Sequence, residues 1–355
     1  MQTNQTGAPP GSHPNADQPK GLEESNSNLA CHSCGGRQLR AVSAAERMFG
    51  LGGLFHYARC TSCGMMSLEN PPVDLGRYYS PDSYYSFSMA EPQLPDDSLR
   101  SRIARLRNSF QIFGRPFWAW PLVKLRAYAE AETSRKHCQH IRGRCDFGLR
   151  VLDIGCGNGN HLAELARQGF TDLTGCDPFL PEPELKFGPI RILRTSHEDL
   201  QAGLFDLVLL SHSLEHMPDQ VRAIRALRPL LAPGGVARIE IPVHDCEAFE
   251  EYQADWVELD PPRHLHLHTR RSLSALAGSL GFEVVAIEEA GIPLEWWGSE
   301  LYRRNVTLYD RTQRGYRTLR DSFPAAEQAQ FEQRVAQARA MKRSGRIIAT
   351  LRVAD

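Results

Sequence analysis

The chain has 355 residues, enough for a sizeable core and for more than one small folding unit. Its 41 Lys and Arg against 42 Asp and Glu give a formal net charge of -1, which excludes a strong global field toward nucleic acid or acidic membranes. The longest apolar runs, such as LFDLVLL around Phe205, are far too short to span a bilayer, and the first residues contain no apolar signal core, so a cytoplasmic protein is expected.

Residues 1–28 are rich in Gln, Asn, Pro, Gly and Ser and lack apolar periodicity, so a disordered tail is expected there. Residues 29–70 contain Cys31-His-Ser-Cys34 and Cys60-Thr-Ser-Cys63. Each pair puts two thiolates on a tight turn that a following glycine lets close. Two such turns complete a tetrahedral four-sulfur site, and the segment between them is long enough for a hairpin arm. Zinc is therefore expected on Cys31, Cys34, Cys60 and Cys63. Four protein ligands leave no open position, which makes the metal structural and couples it to local folding. His32, between ligands, is expected to be exposed rather than bound. The alternatives are a redox dithiol or free thiols.

Residues 71–148 form a helical and aromatic linker, expected to cap a substrate. They include RYYSPDSYYSF, with Tyr78, Tyr79, Tyr84 and Tyr85, and a stretch of helical spacing from Leu99 to His140. The tyrosines, like Trp296 and Trp297 further on, suit either a wall over a substrate or packing of the cysteine module on the core.

From Leu149 strands alternate with helices. LRVLDIG reads as a strand, HLAELARQGF as a helix ended at Gly169, DLTGCD, PIRILRT and FDLVLLSH as strands. QVRAIRALRPLLAPGG reads as an amphipathic helix stopped by Pro-Gly-Gly, GVARIEIP as a fifth strand, RSLSALAGSLGF as a helix and EVVAIEEAG as a strand. A helical insert over about 300–343 precedes a last strand, RIIATLRVA. The alternation implies crossover units on a mostly parallel, doubly wound sheet spanning 149–355. Cys156 and Cys176 read as small core residues at strand ends.

The sharpest motif is VLDIGCGNG, Val151 to Gly159: a strand running into a glycine-rich turn that opens a helix. Gly155, Gly157 and Gly159 let a ligand approach the main chain, and the helix amides bind a carboxylate. Asp153 stands two residues before the first glycine and either meets the ligand or serves only the helix start. Asp177 ends the next strand, where a carboxylate accepts the hydroxyls of an adenosine ribose. A nicotinamide fingerprint would read G-x-G-x-x-G, whereas this turn reads G-x-G-x-G.

Glycine turn, ribose acid, SHEDL, FDLVLLSHSLEHMPD and LRPLLAPGGVARIEIP in this order resemble the class I S-adenosylmethionine-dependent methyltransferases, from about Leu149 to the C-terminus. The paired CxxC motifs, NPP…RYYSPDSYYSF and DPPRHLHLHT resemble a subgroup acting on sugars or other small metabolites. The resemblance implies a Rossmann-like seven-stranded sheet of order 3-2-1-4-5-7-6 with the seventh strand antiparallel. It implies a cofactor site with Asp153, Gly155, Cys156, Gly157, Asn158 and Gly159 on the first turn and Asp177 and Pro178 on the second. It places His197 and Glu198 beside the adenine, and Ser211 and His212 past the fourth strand. After Asp177 the family has a regular helix, whereas PFLPEPELKFGP carries four prolines, so that helix is expected to be short or missing.

Methyl transfer is an in-line displacement in which the enzyme aligns nucleophile and methyl, with a base where the nucleophile is a hydroxyl or carbon acid. His264, His266 and His268 alternate and would share a face of an extended segment. The tract resembles the one in which sugar C-methyltransferases carry a catalytic histidine. On that likeness His264 is the candidate base, although Arg263 stands where those enzymes tend to have an acid; His264 and Arg263 would otherwise brace the loop. His266, Glu215 and His216 are further catalytic candidates. Glu215 would cap the next helix or touch substrate, and His216 would otherwise be a satisfied structural histidine. The function expected is methyl transfer to O or C of a small-molecule acceptor: a sugar, glycan precursor or secondary metabolite. The competing functions are an RNA or protein methyltransferase, or a zinc-ribbon binding module on a degenerate fold. SHSL stands where base N-methyltransferases have an NPPY-like motif. No motif sets an oligomeric state.

Overall fold

A computed structural model describes residues 30–31, 33–79, 94, 98–125, 131–143, 145–200, 203–309 and 320–354. The expected disordered tail, His32, Tyr84, Tyr85 and residues 310–319 of the helical insert lie outside the described residues.

The main sheet has eight strands: β4 (Arg150–Ile154), β5 (Asp172–Cys176), β6 (Glu184–Phe187), β7 (Ile190–Leu193), β8 (Phe205–Ser211), β9 (Leu231–Pro242), β11 (Phe282–Glu289) and β12 (Arg346–Val353). Their order is β11-β12-β9-β8-β4-β5-β7-β6. Read from β7 this is the expected 3-2-1-4-5-7-6. β12 runs antiparallel to both neighbours, and β6 adds an eighth, antiparallel edge strand to the seven.

β6 stands where the family has a helix. Pro178, Pro181 and Pro183 remove the amides a helix would need, and the chain turns back instead at Gly188, whose φ is 53°. The helix expected over QVRAIRALRPLLAPGG is shorter than its pattern. α5 (Gln220–Ala226) stops before Pro229, and Leu231 already pairs with Phe205 in β9. α4 (Asn160–Gln168) runs to the expected stop at Gly169, and α7 (Arg270–Ser279) is capped by Thr269 and Ser272. The insert is α8 (Leu294–Arg303) and α9 (Ala325–Ala340). Ahead of the sheet, α1 (Leu99–Phe113), α2 (Trp120–Leu125) and α3 (Ala131–Cys138) supply the helical linker.

A second, four-stranded sheet has the order β1-β2-β3-β10. β1 (Leu39–Ala45) and β2 (Leu54–Cys60) are the hairpin arm between the cysteine pairs, and β3 (Met66–Leu68) follows the second pair. β10 (His266–Leu267) comes from the histidine tract: Ser67 pairs with His266 and Met66 with Leu267. The cysteine segment and the tract are therefore one sheet, backed by a core that includes Trp256, Trp296 and Trp297. Both indoles of α8 are buried, 2% and 4% exposed, so they pack rather than line a substrate. Among the described residues no helix is long and apolar enough to cross a membrane.

Candidate active site

The strand order reverses at β4, with β5 on one side and β8 on the other. In an open sheet a crevice forms at such a point, beyond the carboxyl ends of the strands. The glycine turn lies there. Gly155 and Gly159 have φ of 72° and 80°, and a Cβ on Gly155 would stand 2.7 Å from Ser213 Cβ. Gly155 itself is exposed. Gly159 also serves as the N-cap of α4, so the first amides of that helix face the turn.

Asp177 is 7% exposed; one carboxylate oxygen accepts from Gly157 N–H at 3.0 Å and the other from Phe179 N–H at 2.9 Å. It ties the two turns together and keeps lone pairs to spare. Pro178 and Phe179 are exposed beside it, and Phe179 is 78% exposed. Sequence reasoning passed over Phe179, an apolar ring in a proline-rich stretch. Asp153 is buried and does not cap α4. Burial, with a smaller push from Asp177, raises its carboxyl to about 6, against the pull of His161, 3.9 Å away. Cys156 is half-buried on the turn with its Sγ near the Gly157 carbonyl, and Cys176 is buried in the sheet. Asn158 accepts from Asn160 N–H at 3.2 Å.

His197 is buried, and its Nε2 bonds the Ala223 carbonyl at 3.0 Å. Glu198 pairs with Arg222. Ser211 donates to Glu240 at 3.1 Å. His212, at φ 50°, sits between two acids, with Nδ1 3.1 Å from Glu215 Oε1 and Nε2 3.6 Å from Glu240 Oε1. Burial and Arg346 oppose its charge, yet the two carboxylates raise its pKa to about 9.

A residue outside the sequence reading also faces this region. His137 of α3 is 6% exposed, and neither ring nitrogen has a hydrogen-bond partner among the described residues. Its ring lies 5.6 Å from that of His161. Nothing in the sequence of α3 marks it.

Beyond Ser213, Glu215 and His216 stand on a short turn over Leu214–His216. Glu215 is not a helix cap, since Asp219 caps α5. Leu265 N–H donates to the Glu215 carbonyl at 2.8 Å, which pins the histidine tract against this turn. The His216 and His264 rings lie 4.9 Å apart, and the Tyr79 hydroxyl is 3.2 Å from His216 Nδ1. Burial, then repulsion from His264, drops the His216 pKa to about 4. Glu215 stays ionised, held near about 2 against burial by His212 and the other histidines.

The three alternating histidines do not act as one face. His266 bonds Ser67 Oγ at 3.0 Å and the Pro218 carbonyl at 3.1 Å; His268 bonds Ser272 at 2.9 Å and Gln220 at 2.7 Å. Both braid the tract into the fold, and only His264 reaches the cluster. Arg263 is 1% exposed; it bonds the Tyr78 carbonyl at 2.9 Å, pairs with Asp260 and lies 3.3 Å from Glu46 of β1's flanking turn. It braces the loop where the resembling enzymes carry an acid.

The four cysteines each offer a sulfur within 4.8 Å of the others. Cys31 Sγ lies 3.5 Å from Cys63 Sγ, and Cys34 Sγ 3.6 Å from Cys60 Sγ. A zinc tetrahedron with bonds of about 2.3 Å spaces sulfurs by about 3.8 Å, whereas a disulfide needs about 2.05 Å. The donor set fits zinc.

A sequence profile described as "Methyltransferase domain" matches residues 122–287, a little under half of the chain. The chain is similar to a ubiquinone biosynthesis O-methyltransferase of Pectobacterium atrosepticum, 34% identical over 101 residues, covering 25% of this chain and 41% of that protein. One from Bordetella avium is 39% identical over 100 residues, covering 25% and 40%. The chain thus spans about two fifths of the length of the curated relatives it matches. Among solved structures, 1,6-didemethyltoxoflavin-N1-methyltransferase of Burkholderia thailandensis is 18% identical with a TM-score of 0.38, covering 75% of this chain and 95% of that one. The glycine turn and the sheet order agree with the matched profile: residues 122–287 match a methyltransferase domain.

Proposed function

We propose that the protein is an S-adenosylmethionine-dependent methyltransferase acting on a hydroxyl or an acidic carbon of a small-molecule acceptor. The observation that supports this reading best is one juxtaposition. Gly155 of the glycine turn packs against Ser213, and Glu215 and His216, which follow Ser213 in the chain, meet His264.

S-adenosylmethionine, when bound, supplies an electrophilic methyl on its sulfonium sulfur and leaves as S-adenosylhomocysteine. The α4 amides hold the carboxylate of its amino-acid end. Asp153, His161 and His137 would hold the ammonium, and the spare lone pairs of Asp177 would take the ribose hydroxyls. Phe179 would stack on the adenine. His264 Nε2 would take the proton that the acceptor gives up. His216, kept neutral by burial, and Tyr79 orient the acceptor. The relatives' names support an oxygen nucleophile; a sugar, glycan precursor or secondary metabolite is the acceptor class proposed. The four cysteines hold a structural zinc whose sheet carries the histidine tract, and thiols kept reduced for a metal suit the cytoplasm.

A crystal structure with S-adenosylhomocysteine tests the reading. The expected result is the sulfur facing His264 and His216 across Ser213; a nucleoside bound elsewhere, or a sulfur turned away from that cluster, contradicts it.

A further inference from the structure

Glu215, His216 and His264 have more in common than proximity. One ligand atom from each lies within 4.8 Å of the other two. The Nδ1–H of His216 donates to the Arg263 carbonyl at 2.8 Å, and that of His264 to the Glu258 carbonyl at 2.8 Å. A carbonyl only accepts, so each ring keeps its lone pair on Nε2. Backbone carbonyls fix metal-bound histidines in just this tautomer.

The carboxylate adds an independent observation. Glu215 is 2% exposed, and its Oε1 is engaged by His212. Its Oε2 is buried without a hydrogen-bond partner among the described residues. A buried carboxyl oxygen without a partner is costly, and an ion is one of the few things that repays it.

We propose that Glu215, His216 and His264 form a second metal site, which takes a divalent cation of the zinc class and leaves coordination positions open to an oxygen of the acceptor. Two imidazoles and one carboxylate are a ligand set of catalytic rather than structural sites, in contrast to the closed four-cysteine set. The proposal rests on the reading that this cluster faces the acceptor. It narrows the acceptor to one presenting a hydroxyl or enol oxygen. On the ion that oxygen becomes more acidic: its O–H bond breaks, the proton passes to water, and the electron pair stays on oxygen. With the ion in place His264 is a ligand and takes no proton; it is a free base only in the ion-free protein.

The test is a titration of the full chain, with its cysteine site preloaded with Zn2+, by Co2+ under visible spectroscopy. The expected result is one further equivalent, with the weak d–d bands of nitrogen and oxygen ligands and no sulfur charge-transfer band. His264→Ala, His216→Asn and Glu215→Gln, tested separately and checked by circular dichroism, should each weaken that equivalent at least tenfold. No second equivalent in the wild type, or one that His264→Ala and Glu215→Gln leave unchanged, overturns the proposal. Binding of S-adenosylhomocysteine in the same samples separates this outcome from failure of the methyltransferase reading.

Discussion

Asp153 is placed at a cost to the free protein. An ordinary carboxyl titrates near 3.8 and this one, chiefly through burial, near about 6. The folded state therefore holds its proton where the unfolded chain has lost it. Stability falls as pH rises from 3.8 to about 6, and the penalty is complete above that, at a few kcal/mol. Asp153→Asn should raise the melting temperature by several degrees at pH 7.5 and leave it nearly unchanged at pH 4, while weakening the cofactor. Equal melting curves at both pH values would show that the carboxylate carries no such penalty. At His264 the expected result of substitution by Ala is a fall in methyl-transfer rate of about 10²-fold or more, with S-adenosylhomocysteine affinity held, as calorimetry beside initial rates would show. The glycines are legible in the sequence because a strand–turn–helix fixes them locally, and Asp177 because it stands at the end of the next strand. The fates of His197, His266 and His268 are not, since each ring is spent on a partner from another element: Ala223, Ser67 and Gln220.

At the scale of elements, the cysteine module and the histidine tract share a sheet through two residue pairs. Leu68 N–H donates to the Leu265 carbonyl at 2.8 Å, Thr269 donates to the Cys63 carbonyl at 2.7 Å, and the Tyr57 hydroxyl donates to the His264 carbonyl at 2.8 Å. A ladder this short depends on the turn that feeds it. Removing the metal, or Cys60→Ser, should therefore raise amide exchange at Leu68, Leu265 and Leu267 while the glycine turn keeps its protection. Hydrogen–deuterium exchange by mass spectrometry checks this, and unchanged exchange in the tract would uncouple the two parts. The CxxC pairs announce the module, but the β3–β10 pairing joins segments about two hundred residues apart, which no local pattern encodes. The same is true of the extent of α5. Its apolar spacing runs on past Pro229, and only the pairing of Leu231 with Phe205 shows where the strand begins.

For the molecule as a whole, the alternation of strands and helices implied a mostly parallel, doubly wound sheet, whereas its strand order was implied by the resemblance of the motifs and not by periodicity. The added edge strand β6 follows from the prolines that forbid a helix there. The sheet brings the glycine turn, Asp177 and the Glu215 turn to one edge, and the cysteine-anchored sheet delivers His264 to the same place. The most direct test is calorimetric titration of the zinc-loaded protein with S-adenosylhomocysteine, alongside Asp177→Ala. The account predicts saturable one-to-one binding by the wild type, weakened at least tenfold, or by about 1.4 kcal/mol, in the variant. No binding by the wild type, or equal binding by both proteins, would contradict it.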